Sequence, residues 1–162
     1  MPNASAINSA LIRHMVADYL EIDEVLYLMG TGFRSLDENP NAQTETTTYI
    51  NDKEGSTDVI GYEREFPFES DYIPSKEPIV ALWNVGRNGL TGDAAKFNYY
   101  RVDLWDGDDN AKKARKFSVT ASISSFSGEG GAKLAVSGTM HANGAPVQGT
   151  FNTSTKTFTE TP

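Results

Sequence analysis

The sequence predicts a mostly β, antiparallel fold with one α-helix against the sheet. Three observations carry this. The last third of the chain alternates apolar and polar residues with period two, as half-buried strands do. Turn residues, among them Asn143–Gly144 and Asn152–Thr153–Ser154, break that alternation at short intervals. Only one stretch, about residues 75–86, carries both the start and the stop signals of a helix.

Taken in order, residues 1–20 are expected to be a flexible arm. The first ten are small and polar, although Leu11, Ile12, Met15, Val16, Tyr19 and Leu20 recur at helical spacing. The run Val25 to Met29 is apolar at every position and reads as a strand closed by Gly30 and Gly32. A polar stretch around Pro40 opens a long early loop, about residues 39–58. Within it, the β-branched run Thr44 to Ile50 could pair as a strand, and residues 51–56 read as a turn. Val59 to Phe68 is expected to alternate as one strand. It puts Ile60, Tyr62, Phe66 and Phe68 on one side and Glu63 and Glu65 on the other. Arg64 falls on the apolar side, an exception that requires a carboxylate partner or an edge position.

The helix over about 75–86 has Ser75 as its expected N-cap and Glu77 and Pro78 in its first turn. Ile79, Val80, Leu82 and Trp83 form its buried stripe, and Gly86, Asn88 and Gly89 stop it. Beyond it, Tyr100 to Leu104, Phe117 to Ser124, Leu134 to Met140, Val147 to Phe151 and Thr155 to Thr159 read as a meander of antiparallel strands.

Length and composition bound the function. A chain of 162 residues and 17.7 kDa is expected to form one domain, 1–162. A mean hydropathy of −0.44 and the lack of a long apolar run predict no membrane span, and residues 1–10 do not read as a signal peptide. Cysteine is absent and there are two histidines, which removes thiol chemistry and makes His-rich metal sites unexpected. The net charge of −8 is uneven: residues 1–109 hold twenty acids against eight bases, and residues 110–162 hold two against six. An acidic body argues against wrapping nucleic acid, whereas opposite charge in two sections allows copies to attract one another.

No catalytic constellation is legible. His14 and His141 lack a nucleophile elbow. Residues 106–110 begin like a calcium loop, but Ala111 and Phe117 stand where that loop needs Gly and Glu. The chain is therefore read as a non-enzyme with no cofactor and no metal.

The blocks Asn39–Pro40, Tyr49–Ile50–Asn51–Asp52–Lys53, Gly61–Tyr62 and Phe66–Pro67–Phe68, followed by the 77–88 helix and the 99–106 strand, resemble the major tail tube proteins of long-tailed, siphophage-type bacteriophages. The resemblance implies a β-sandwich or half-barrel with a flanking helix. It implies a structural virion protein, made in the host bacterial cytoplasm, that self-assembles into stacked hexameric rings forming the tail tube. DNA would pass through without specific binding, and tape measure, tail terminator and distal tail proteins would be further partners. It assigns ring-to-ring contacts to the arm and the long loop, hence to Asn39, Pro40, Tyr49, Ile50, Asn51, Asp52 and Lys53. Carboxylates on polar strand faces, Glu45, Asp58, Glu63, Glu65 and Asp103, are expected to line the lumen, where they would repel phosphate. The alternative is a monomeric β-sandwich that binds carbohydrate or a receptor through exposed aromatics such as Tyr99 or Trp105.

Overall fold

The computed structural model describes residues 7–162. Its first strand is β1 (Val16–Ile22), buried on both faces because Tyr19 and Leu20 point to opposite sides of the sheet and both are covered. A strand enclosed on both faces reads as an unbroken apolar run, and that is why its spacing also fitted a helix. The expected arm over 1–20 is corrected accordingly: it cannot extend past Met15, and residues 1–6 lie outside the described residues. A two-residue turn at Asp23 and Glu24, both at positive φ (50° and 65°), reverses the chain into β2 (Val25–Leu28).

After β3 (Phe33–Leu36) the chain leaves the main sheet as a separate hairpin, β4 (Ala42–Thr47) and β5 (Ser56–Tyr62). The long early loop is thus two paired strands with only the tip unpaired, as the β-branched threonines of β4 favour. The strand expected over Val59 to Phe68 is likewise two. β5 ends at Tyr62, the chain bends at Glu63–Arg64, and β6 (Glu65–Asp71) joins the main sheet.

The helix α1 (Glu77–Arg87) lies where expected. Lys76, not Ser75, occupies the N-cap position and offers no side-chain bond, leaving Pro78 in the first turn as the entry signal. Ile79, Leu82 and Val85 are buried against the sheet. Trp83 stacks between Tyr72 and Phe126, with ring centroids 4.4 and 4.1 Å away.

The remaining strands are β7 (Lys96–Asp108), β8 (Ala111–Ser127), β9 (Ala135–Ala142), β10 (Val147–Asn152) and β11 (Thr157–Glu160). The main sheet is antiparallel in the order β2-β1-β7-β8-β9-β6-β3. The last third is not a simple meander. β8 is 17 residues long and serves two neighbours: Val119 to Ser127 pair with β9, and Lys112 to Lys116 pair with β10. β11 follows β10, and this flap places Phe151 on Tyr19 (4.7 Å) and Phe158 on Tyr100 (5.4 Å). The outer face of β1 and β7 is thereby covered.

The inner core is built around Phe66, Tyr99 and Phe117, all fully buried, with Phe66 4.8 Å from each of the other two rings. Burying such a side chain contributes about 1.5–3 kcal/mol. The sheet curls far enough for its β3 end to return over β7 and β8, where Arg101 donates to the carbonyl of Leu36 at 3.4 Å. The result is a curled antiparallel half-barrel with one helix.

Candidate assembly surfaces

Two features stand out from an otherwise well-covered fold: an ion network at the mouth of the half-barrel, and the hairpin that springs from it.

The network is set by register. Leu20, Tyr99 and Phe117 lie side by side on β1, β7 and β8, and one step toward the mouth the same alignment puts Asp18, Arg101 and Arg115 in a row. Asp18 is 2% exposed. It accepts from Tyr99 Oη and from Arg13 (2.6 Å), and lies 3.5 Å from Arg101. Glu38, just past β3, takes both terminal nitrogens of Arg115 at 2.6 and 2.7 Å and approaches Arg64 (3.5 Å) and Arg101 (3.8 Å). Burial pulls the Glu38 carboxyl upward, but the Arg115 hydrogen bonds and the charges of Arg115, Arg101 and Arg64 win and hold it below its ordinary range. Burial and the Asp18 charge push Tyr99 well above the usual phenol range, so it stays a donor. Arg64, the exception on an apolar face, has its carboxylate: Glu38.

Glu38 precedes the hairpin and Arg64 follows it, and Asn39 and Glu65 bridge backbone to backbone between them, at 2.8 and 3.0 Å. The root of the hairpin is therefore tied to the core of the sheet. Everything beyond the root is exposed. Val59, Ile60, Tyr62 and Tyr49 are all more than half exposed and Ile50 fully so. The strands β4 and β5 pair only with each other among the described residues.

The structure distributes the expected lumen residues over three places. Glu45 and Asp58 face each other directly across the hairpin, and Glu63 is exposed at its root. Glu65 opens β6 beside His141 (3.4 Å). Asp103 lies apart on β7, opposite Lys113. Burial raises its carboxyl, against the lowering charges of Arg115 and Lys113. Of the expected ring-contact residues, Asn39 and Pro40 are at the root, and Tyr49, Ile50, Asn51, Asp52 and Lys53 make the tip, where Asp52 accepts from the Tyr49 amide at 3.1 Å. Tyr99, which the carbohydrate-binding alternative places on an open face, is fully buried, and Trp105 is half-buried in a bulge of β7; that alternative is corrected at both positions. The sequence reading missed Asp18, Glu38, Arg101 and Arg115. Its one usable signal was Arg64, since charge on an apolar strand face needs a partner.

No protein-family model matches the sequence, and no curated protein matches it. The fold does match solved structures. A chain in the tail of an empty GTA particle, determined with helical refinement and C6 symmetry, is 14% identical at a TM-score of 0.59, covering 85% of this chain and 97% of that one. A chain in the virion of the native gene transfer agent particle is 12% identical at 0.60, covering 93% and 99%. A chain in the 6-fold symmetrised anti-feeding prophage baseplate is 6% identical at 0.53, covering 88% and 97%. The half-barrel is thus a fold found in phage-tail-type particles, in each case across nearly the whole length of the matched chain.

Proposed function

We propose that this chain is a structural tail subunit that self-assembles into rings, six to a ring, stacking into a tube through which DNA passes. The observation that carries this is the β4–β5 hairpin: two-stranded, with Tyr49 and Ile50 exposed at its tip, rooted in the core and covered by no described part of its own chain. An isolated two-stranded hairpin is marginal in water, so one held out from the body is expected to order against another molecule. The six-fold and C6 symmetry of the particles that hold similarly folded chains supports six copies per ring. Open sheet edges at β2 and β3 are a liability that side-by-side copies would remove.

The hairpin face bearing Glu45 and Asp58 is the best of the expected carboxylate sets for a lumen wall, because both groups are exposed and adjacent. Asp103 is the weakest, since it is half-buried and its charge is offset by Lys113 opposite it and Arg115 nearby. The tip residues Tyr49 to Lys53 would make ring-to-ring contacts, with Asn39 and Pro40 setting the exit from the body. Tape measure, terminator and distal tail proteins would bind the same surfaces at the ends of the tube. The protein would be made in the host cytoplasm and reside in the virion tail.

The test is negative-stain electron microscopy of the purified protein over a wide concentration range, beside a variant with residues 42–62 replaced by a short Gly/Ser link. Rings or tubes of uniform width, absent in the variant, are expected. A monodisperse monomer throughout, with or without nucleating tail-end proteins, overturns the reading.

A further inference from the structure

A second surface on the same molecule has the shape and charge that the hairpin tip lacks a partner for. An open groove of about 590 Å³ runs between β1, the β2–β3 turn and the short helical turn Arg13–Met15. Its floor and walls are apolar: Ile12, Val16, Leu28, Met29, Phe33 and Leu104. Ile12 and Leu28 remain 60% and 54% exposed, and no described segment fills the groove. Arg13 and Arg34 stand on its rim, each about half exposed; Arg13 is pinned by Asp18 at 2.6 Å, and Arg34 by Asp71 at 2.6 Å with Glu69 at 3.9 Å. Asp18 is buried behind Arg13, so at that end of the groove the guanidinium is the exposed charge.

The hairpin is the converse. Residues 42–63 hold Glu45, Asp52, Glu54, Asp58 and Glu63 against Lys53 alone. Glu45 opposite Asp58 is a like-charge cross-strand pair, which costs stability until a cation approaches. Tyr49 and Ile50 project from the end with nothing to cover them. Six paired positions carry that tip about 20 Å from the root. The root lies next to the groove, because Leu36 lines the groove and Glu38 precedes the root. With Tyr49 and Ile50 this exposed, the tip does not occupy the groove of its own chain, which leaves that groove open to a second copy.

We propose that the Tyr49–Ile50 tip of one copy seats in the groove of a second copy, with Asp52 and Glu54 beside the tip lying against Arg13 and Arg34. This rests on the self-assembly reading and names the receptor for the hairpin. A contact between two different patches propagates from copy to copy and does not close on itself as a symmetric pair does.

The absence of cysteine makes the test clean. Two single-cysteine variants are prepared, Ile50→Cys and Leu28→Cys, both at exposed positions where the fold is not at stake. A third, Thr159→Cys, supplies an exposed control on β11. The variants are mixed pairwise with one partner of each pair labelled with 15N, allowed to assemble, imaged and oxidised, and the products are read by mass under non-reducing conditions, the label separating mixed dimers from dimers of either variant alone. A disulfide forms only when the two Cα atoms come within about 4.4–6.8 Å. The Ile50→Cys/Leu28→Cys heterodimer is expected in at least tenfold excess over the Ile50→Cys/Thr159→Cys product. Rings or tubes that form normally with no such excess overturn the groove contact and leave self-assembly standing. Failure of wild-type protein to assemble under every condition overturns both.

Discussion

Glu38 and Arg115 meet through two parallel hydrogen bonds of 2.6 and 2.7 Å, joining the end of β3 to the middle of β8 across the mouth of the half-barrel. The pair ties together two strands that are not hydrogen-bonded neighbours, and it anchors the hairpin that begins four residues after Glu38. Neutralising Glu38 leaves Arg115 and Arg64 without their carboxylate in a half-buried site, while Arg101 keeps Asp18. Glu38→Gln is expected to cost on the order of 2–3 kcal/mol, the range for hydrogen bonds to charged groups, below that of a fully buried pair because Arg115 and Arg64 keep some contact with water. Urea denaturation reads this directly. An unchanged midpoint would show that the network stabilises nothing.

The same pair dictates an acid dependence. The folded Glu38 carboxyl titrates below its ordinary value of 4.5, so its contribution is fully present above that value and is lost as pH falls through the folded pKa. The melting-temperature difference between wild type and Glu38→Gln should be constant near neutrality and shrink below about pH 4.5. A gap that widens on acidification would reverse the assigned direction.

Tyr99 donates to Asp18 in a site closed to water. Tyr99→Phe keeps the ring in its contacts with Phe66 and Phe117 and removes only the donor, leaving a buried carboxylate short of one hydrogen bond. The expected loss is about 1–3 kcal/mol, and in the double variant with Asp18→Asn the combined loss should be smaller than the sum of the two single losses, since both changes remove the same hydrogen bond. Simple additivity of the two changes would argue that they act separately.

Gly86 permits the close packing of α1 on β8. A Cβ there would meet the Cβ and Cγ2 of Ile123 at 2.8 Å and Phe126 Cζ at 2.7 Å. The phenyl ring can swing aside, but a strand residue cannot, so the helix must lift. Gly86→Ala is expected to cost about 1–3 kcal/mol despite the better helix propensity of alanine, with loss of near-ultraviolet dichroism from Trp83. A gain in stability would mean the helix sits farther from the sheet.

The facing carboxylates of the hairpin set a fifth expectation. Relieving the Glu45–Asp58 repulsion by Asp58→Asn should steady the isolated hairpin by about 0.2–1 kcal/mol, seen as slower amide exchange at Thr46 and Thr57, while global stability stays unchanged. If the pair lines a lumen, the doubly neutral variant should assemble and yet retard DNA passage.

Strand content and the helix were readable wherever one face is wet and the other dry, because burial then writes its period into the residues. β9 and the middle of β8 are such strands. β1 is not: covered on both faces, it loses the alternation and took on a helical look. The break at Glu63–Arg64 was hidden for the opposite reason. Ile60 and Tyr62 are as apolar as Phe66 and Phe68, and only the fold shows that the first two are exposed on a free hairpin and the last two are in the core.

What the chain's own order of residues determined was local: the strands with one wet and one dry face, the turns between them, and the helix to within a residue or two of its ends. Those properties depend on neighbours a few positions apart. Tertiary structure alone decided that β8 is shared by β9 and β10, that Asp18, Glu38, Arg101 and Arg115 meet at one mouth, and that the hairpin stands clear of the body. Such pairings join residues far apart in sequence, 77 positions for Glu38 and Arg115 and 81 for Asp18 and Tyr99. They are selected by the curl of the whole sheet, a property that no short stretch of residues carries.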